Sequence, residues 1–254
     1  MTVRSDLTRR LSRPVATPRR QLPEWKKRWF RNSSRQYLAR YNRTFAKATK
    51  PGMLVLDAGA GRAPYRGFFK HATYESADFK LLQADQTYIC DLTDIPVEDG
   101  RYDRVLLNQV LEHLPDPASA LRELYRVTKP GGELICTVPL FYEEHQKPYD
   151  FFRYTQFGLR KLFSDAGFSV QTMEWMEGYF GTVGYQFEGM HRHLPRTVPS
   201  GLGRWRAGRA RVLLGAARGL GLLLAGLFYR LDQEWKYTRT GYPKNFMIIA
   251  GKPR

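Results

Sequence analysis

Cysteine is nearly absent: Cys90 and Cys136 are the only two in 254 residues. Both lie in short apolar runs and read as reduced core thiols of a cytoplasmic protein, which excludes a disulfide framework. No Cys/His cluster supports a structural zinc site, and no metal is expected. His191 and His193 flank Arg192, but no carboxylate or cysteine recurs beside them. Residues 1–30 lack the apolar stretch of a signal peptide and are basic and proline-containing. No internal repeat is visible.

Acidic residues are scarce at both ends. Residues 1–50 carry 15 Lys/Arg against Asp6 and Glu24, a net +13. Residues 196–254 carry 12 Lys/Arg against Asp232 and Glu234, a net +10. The stretch between has 14 basic and 20 acidic residues, so a mildly acidic core is flanked by two basic ends. Such ends suit a polyanion: anionic lipid headgroups, nucleic acid or a phosphorylated ligand.

What is present is an alternation of short apolar runs and helical stretches. Residues 1–24 read as a flexible basic arm, and 25–50 as an amphipathic helix with Trp29, Tyr37, Tyr41 and Phe45 at helical spacing. Strands are predicted at Met53–Leu56, Tyr74–Ala77, Tyr88–Cys90, Arg104–Leu107, Glu133–Val138, Val170–Trp175 and Phe246–Ala250. Helices are predicted over Pro117–Thr128, stopped by Pro130-Gly131-Gly132, and after a Thr155 cap with an apolar stripe of Phe157, Leu162, Phe163 and Ala166. The pattern predicts an α/β fold, with a mostly parallel sheet over 51–254 and helices on both faces.

Before the last strand sits a helical insertion, 176–240, far longer than an ordinary connection. It contains the Leu/Gly/Ala-rich run Val212–Leu231, which Arg218 interrupts. That arginine and the repeated glycines argue against a membrane span and for an interfacial helix. A lid over the substrate pocket and a homodimer contact are the competing readings.

The chemistry concentrates at strand ends. Met53-Leu54-Val55-Leu56 runs into Asp57-Ala58-Gly59-Ala60-Gly61, a turn whose glycines permit close backbone approach to a ligand. Pro64 stands where a third glycine of a dinucleotide loop belongs, which disfavours a pyrophosphate cradle. Asp78, 21 residues after Asp57, suits the two hydroxyls of a ribose, and Asp91 beside Leu92 suits an adenine amine.

Three aspartates at successive strand ends, with Tyr102-Asp103-Arg104-Val105, Asn108-Gln109-Val110-Leu111-Glu112-His113-Leu114 and Arg126–Leu134, resemble the class I methyltransferase family. The resemblance is to its small bacterial methyltransferase type 11 branch and covers about half the chain. It implies a Rossmann-like seven-stranded sheet with an antiparallel last strand, and S-adenosyl-L-methionine as cofactor. Asp57, Ala58, Gly59 and Gly61 would hold its methionine part, Asp78 the ribose, Asp91 and Leu92 the adenine, with Asn108 and Gln109 beside the sulfonium. Arg62-Ala63-Pro64 departs from the pattern.

The acceptor side is read from 139–155, after the fifth strand. His145 and His113 are the candidate bases, Asp150 a catalytic partner for His145, and Tyr149, Arg153 and Tyr154 candidate substrate contacts. An Asp150–Arg153 ion pair that fixes the loop is the competing reading. His145-Gln146-Lys147-Pro148-Tyr149-Asp150-Phe151-Phe152-Arg153-Tyr154-Thr155 resembles a loop of bacterial methyltransferases associated with glycan and envelope biosynthesis. The expected activity is therefore O-methylation of a glycan, lipid-linked or other small acceptor. Membrane contact would run through 1–50 and 204–231, peripheral on the inner face of the membrane. A nucleic-acid methyltransferase and a non-catalytic protein of the same fold are the alternatives; against the former, no Pro-Pro-aromatic run follows Asn108.

Overall fold

The computed structural model describes residues 32–254; the arm of 1–24 and Trp25–Arg31, including Trp29, lie outside the described residues. Helix α1 (Ser33–Ala48) starts where the Asn32 side chain accepts the Ser34 amide at 2.9 Å. Strands β1 (Leu54–Ala58), β2 (Thr73–Asp78), β3 (Tyr88–Ile89) and β4 (Tyr102–Asn108) follow. Then come α2 (Pro117–Val127), β5 (Thr128–Pro139), α3 (Gln156–Asp165) and β6 (Ser169–Trp175). The insertion supplies α4 (Tyr179–His193) and α5 (Arg204–Glu234), and β7 (Asn245–Gly251) closes the sheet.

The sheet order is β3-β2-β1-β4-β5-β7-β6. Strands β1 to β5 pair parallel, and β7 runs antiparallel to both its neighbours. The order reverses between β1 and β4, so their carboxyl ends flank a crevice, the place where open α/β sheets bind ligands. Side chains alternate across the sheet. Leu56, Leu107, Cys136 and Ile248 join Leu121, Leu124 and Phe163 of α2 and α3 on one face. Val55, Leu106, Ile135 and Met247 meet Tyr37 and Phe45 of α1 on the other.

Three details depart from the sequence expectations. No α-helix links β1 to β2; Arg62-Ala63-Pro64 leads through turns into a single 3-10 turn, Arg66–Phe68. The chain leaves α2 at Val127, before Pro130-Gly131-Gly132, and that tripeptide lies inside β5. Phe157 is 74% exposed, whereas Leu159 and Phe163 are buried. Round the helix, residue 157 stands about 120° from 163 and about 160° from 159, so Phe157 is turned away from the buried side.

The helices α4 and α5 run antiparallel, as the order of their contacts shows: Gly181 meets Asp232, Gly184 meets Tyr229, and Gly221 meets the Phe187 carbonyl. The buried Asp232 carboxylate sits at the amino end of α4, where the helix dipole favours negative charge. A Cβ at Gly181 would lie 2.5 Å from Asp232 Oδ2 and 2.9 Å from Glu177 Cβ. Gly181→Ala is therefore expected to destabilise the protein by about 1–3 kcal/mol, lowering the melting temperature by several degrees at ~2–4 °C per kcal/mol. An unchanged melting curve would contradict this packing.

Candidate active site

Asp57 closes β1 and is buried, and the Tyr74 hydroxyl donates to its carboxylate. Burial pushes the Asp57 carboxyl up to about 7; the Tyr74 hydrogen bond opposes the shift and the Asp78 charge adds to it. At Gly59 the backbone turns to φ +70°, and a Cβ there would sit 2.5 Å from Val110, so only glycine fits. The Gly61 amide donates to Asp78 Oδ2 at 2.9 Å. The other Asp78 oxygen, Oδ1, is buried and accepts no hydrogen bond. An orphaned buried acceptor is costly unless a ligand donor completes it.

The remaining predicted contacts divide. Asp91 follows β3 and is exposed, its Oδ1 bonded to the Thr93 amide and hydroxyl, with Leu92 buried beside it. Gln109 ends β4 in the left-handed region at φ +56°, with a buried Nε2 that makes no hydrogen bond. Such strain persists where surrounding structure enforces it, and it gathers at functional sites. Ala58 has its side chain in the core, so only its main chain borders the crevice. Asn108 requires correction: its amide exchanges hydrogen bonds with Asn42 of α1 at 2.9 and 3.1 Å and accepts from Thr137 at 3.2 Å. Its side chain thereby ties α1 to the sheet.

On the acceptor side, the 139–155 segment folds back over the 3-10 turn Leu111–His113 that follows β4. His113 and His145 meet edge to face, with ring centres 4.6 Å apart. His113 Nδ1 lies 2.5 Å from the Tyr149 carbonyl, and His145 Nδ1 lies 3.2 Å from the Glu143 carbonyl and 3.3 Å from Asp150 Oδ2. Burial lowers the His113 pKa, with the Tyr149 carbonyl opposing.

The Asp150 carboxylate is engaged within the loop, as the ion-pair reading expects. It accepts both Arg153 terminal nitrogens at 2.7 and 2.8 Å and the His145 amide at 2.8 Å. The Arg153 guanidinium holds its carboxyl well below the usual range. Arg153 and Tyr154 are likewise engaged in the scaffold. Arg153 also donates to the carbonyls of Tyr142, Glu143 and Phe152, and the buried Tyr154 hydroxyl donates to the Leu111 carbonyl. Tyr149 is 54% exposed and pairs with Phe79, which directly follows Asp78, at 6.1 Å between ring centres. The two rings form a lip between the cofactor loop and the acceptor loop.

Glu112 and Phe79 went unrecognised in the sequence. Glu112 is fully buried with neither carboxylate oxygen hydrogen-bonded, His113 Nε2 lies 3.7 Å away, and burial pushes its carboxyl up to about 8. Its carbonyl accepts the amides of Phe151 and Phe152. Glu112, His113 and His145 each bring a donor atom within 4.8 Å of the others. An Asn-x-x-x-Glu-His run at the end of a central strand was the available signal. Outside this cluster, His193 pairs with Glu143 at 2.7 Å and His191 with the Arg218 carbonyl at 3.2 Å. The insertion thereby grips the acceptor loop, helped by Tyr185 stacked on Tyr142 at 5.2 Å.

Residues 64–136 match the family described as Methyltransferase domain. An uncharacterized 37.1 kDa protein in transposon TN4556 of Streptomyces fradiae is 30% identical over 187 residues, 60% of this chain and 54% of that protein. Demethylmenaquinone methyltransferase of Staphylococcus carnosus is 32% identical over 93 residues, 34% of this chain and 36% of that enzyme. The chain thus spans about half the length of the first relative and about a third of the second. The (4+2)-cyclase SpnF superposes with a TM-score of 0.54 at 20% identity, over 86% of this chain and 82% of that one. Haemonchus contortus phosphoethanolamine N-methyltransferase 2, solved with S-adenosyl-L-methionine, gives 0.52 at 17% identity, over 87% and 53%. At these identities the superpositions show the fold.

The raised Asp57 carboxyl has a measurable consequence. Below pH ~4 it is protonated whether folded or unfolded; between ~4 and about 7 only the unfolded chain ionises it, so its burial lowers stability as pH rises. Above about 7 that penalty is constant. Asp57→Asn in the ligand-free protein is expected to gain melting temperature relative to wild type as pH rises from ~4 to ~7, then level off. A difference independent of pH would contradict the assignment.

Proposed function

We propose that the chain is a class I S-adenosylmethionine-dependent methyltransferase that methylates a hydroxyl of a glycan, lipid-linked or other small envelope acceptor on the cytoplasmic side of the membrane. The orphaned Asp78 oxygen carries the cofactor reading. It suits a ribose hydroxyl, while the absence of a helix behind the glycine loop removes the amide cradle that a pyrophosphate needs. Gly59, Gly61, Asp78, Asp91, Leu92 and Gln109 are the residues that would hold the cofactor, with Asp57 beneath them.

When bound, the cofactor supplies an electrophilic methyl on a sulfonium. This chain aligns the acceptor and receives its proton. With Nδ1 of His145 facing two acceptors, Asp150 Oδ2 and the Glu143 carbonyl, its ring proton resides there and the Nε2 lone pair is left to take the acceptor's proton. His113, fixed by the Tyr149 carbonyl, presents the facing imidazole, and Tyr149 with Phe79 offers an aromatic wall for a ring or sugar. The loop pattern supports an envelope acceptor, and the small acceptor in the name of the quinone methyltransferase supports this reading over a nucleic acid.

With labelled cofactor and a membrane lipid and glycan extract, His145→Ala is expected to lower turnover by about 10²–10⁴-fold. Cofactor affinity should hold within about twofold, since the substitution removes a group acting on the acceptor. Full turnover in His145→Ala would overturn the base assignment. Chelation with EDTA should leave the rate unchanged; a loss would reassign Glu112, His113 and His145 to an ion.

A further inference from the structure

Helix α5 has two opposed faces. At 100° per residue, the buried Gly221, Ala225, Tyr229 and Asp232 fall within an arc of about 80°. Trp205, Val212, Leu213, Leu220, Leu223 and Leu227 fall within about 100° on the other side. All six are at least half exposed, from Leu227 at 50% to Trp205 at 83%. The stripe runs ~33 Å along the helix, broken near its start by the exposed Arg209, an apolar surface of a kind that monomeric soluble proteins seldom leave in water.

Charge decides what covers it. Between Glu188 and Asp232 the sequence has no Asp or Glu, while Arg204, Arg206, Arg209 and Arg211 stand exposed around the first turns of α5. A second copy laid antiparallel on this face would offer one exposed α5 carboxylate, Glu234, against four arginines, and a parallel copy would set arginines against arginines. The basic residues 1–31 offer like charge in the same way. An anionic phosphate surface offers the opposite charge. By length and composition α5 is apolar enough to cross a bilayer, but its other face packs on α4 through Gly221 and Tyr229. Crossing would carry Arg209 and Arg218 into hydrocarbon, whereas lying in the interface leaves the arginines among headgroups.

We propose that α5 docks this protein on an anionic membrane surface, its leucine stripe at the acyl boundary and its arginines on lipid phosphates. The inference deepens the lipid-side acceptor reading, and it stands or falls on binding rather than turnover.

The test is co-sedimentation of the full chain with phosphatidylcholine vesicles and with vesicles containing a quarter phosphatidylglycerol. The chain should pellet with the anionic vesicles, and added salt should weaken the binding. Leu220→Glu with Leu223→Glu should reduce binding at least tenfold while melting temperature and cofactor affinity hold, because both side chains point away from α4. Replacing Arg204, Arg206, Arg209 and Arg211 with Gln should remove the preference for anionic lipid. The proposal is overturned if the wild-type chain stays in solution, or if the double Glu variant binds as well as wild type. It is also overturned if the Glu pair dissociates a dimer without changing vesicle binding, or if deleting residues 1–31 alone abolishes binding. Cofactor calorimetry on the same samples separates failure of docking from failure of the methyltransferase reading.

Discussion

A buried carboxylate with one oxygen committed and the other left open sets the terms for the rest of this structure. Asp78 spends Oδ2 on the Gly61 amide and keeps Oδ1 out of water without a donor. Such an arrangement is unfavourable in the empty protein and becomes favourable only when a ligand hydroxyl arrives. Its neighbours follow from it. The loop must bend left-handed at Gly59 to bring Gly61 within reach, and Val110 leaves no room for a side chain there. Burial raises the carboxyl of Asp57, one strand over, to about 7, and the nearby Asp78 adds to the shift.

The acceptor side obeys a different constraint: a long irregular loop must be made rigid above a sheet edge. Arg153 does this by gathering three carbonyls and the Asp150 carboxylate, and Glu112 does it from below through its carbonyl. The imidazoles of His113 and His145 are then held at Nδ1 by main-chain carbonyls, and His113 Nε2 meets the Gln146 side-chain amide at 3.3 Å. The insertion completes the frame. Arg192 and His193 of α4 both hold Glu143, and the buried Lys244 ammonium sits 4.2 Å from the Tyr185 ring and 4.8 Å from that of Tyr142. Docking through α5 would thus act on an element already bound to the acceptor loop.

Strand alternation and turn chemistry made most of the sheet legible from the amino acids, because the central strands carry apolar residues on both faces and β2, β4 and β5 end at Asp78, Asn108 and Pro139. The cofactor loop was legible for the same reason: glycine at 59 and aspartate at 78 answer to backbone geometry that a sequence records directly. Side-chain direction is another matter. Asn108 looked like a ligand contact because its partner, Asn42, lies 66 residues away on α1. Arg153 and Tyr154 looked like substrate contacts because nothing in their spacing shows that the loop turns them inward. Phe157 failed because its spacing sets it about 160° from Leu159 and 120° from Phe163, off the face that the helix buries. Glu112 was passed over since a carboxylate beside a histidine normally reads as surface, and only the fold shows it fully buried.

Asp78 is the residue proposed to recognise the cofactor, and isothermal calorimetry with S-adenosylmethionine tests this role most directly. Wild type should bind one equivalent, and Asp78→Asn, close in size but unable to offer two acceptor oxygens, should bind about 10–100-fold more weakly, the loss of a charged hydrogen bond. Equal affinity in the two proteins, or no binding in either, would contradict it.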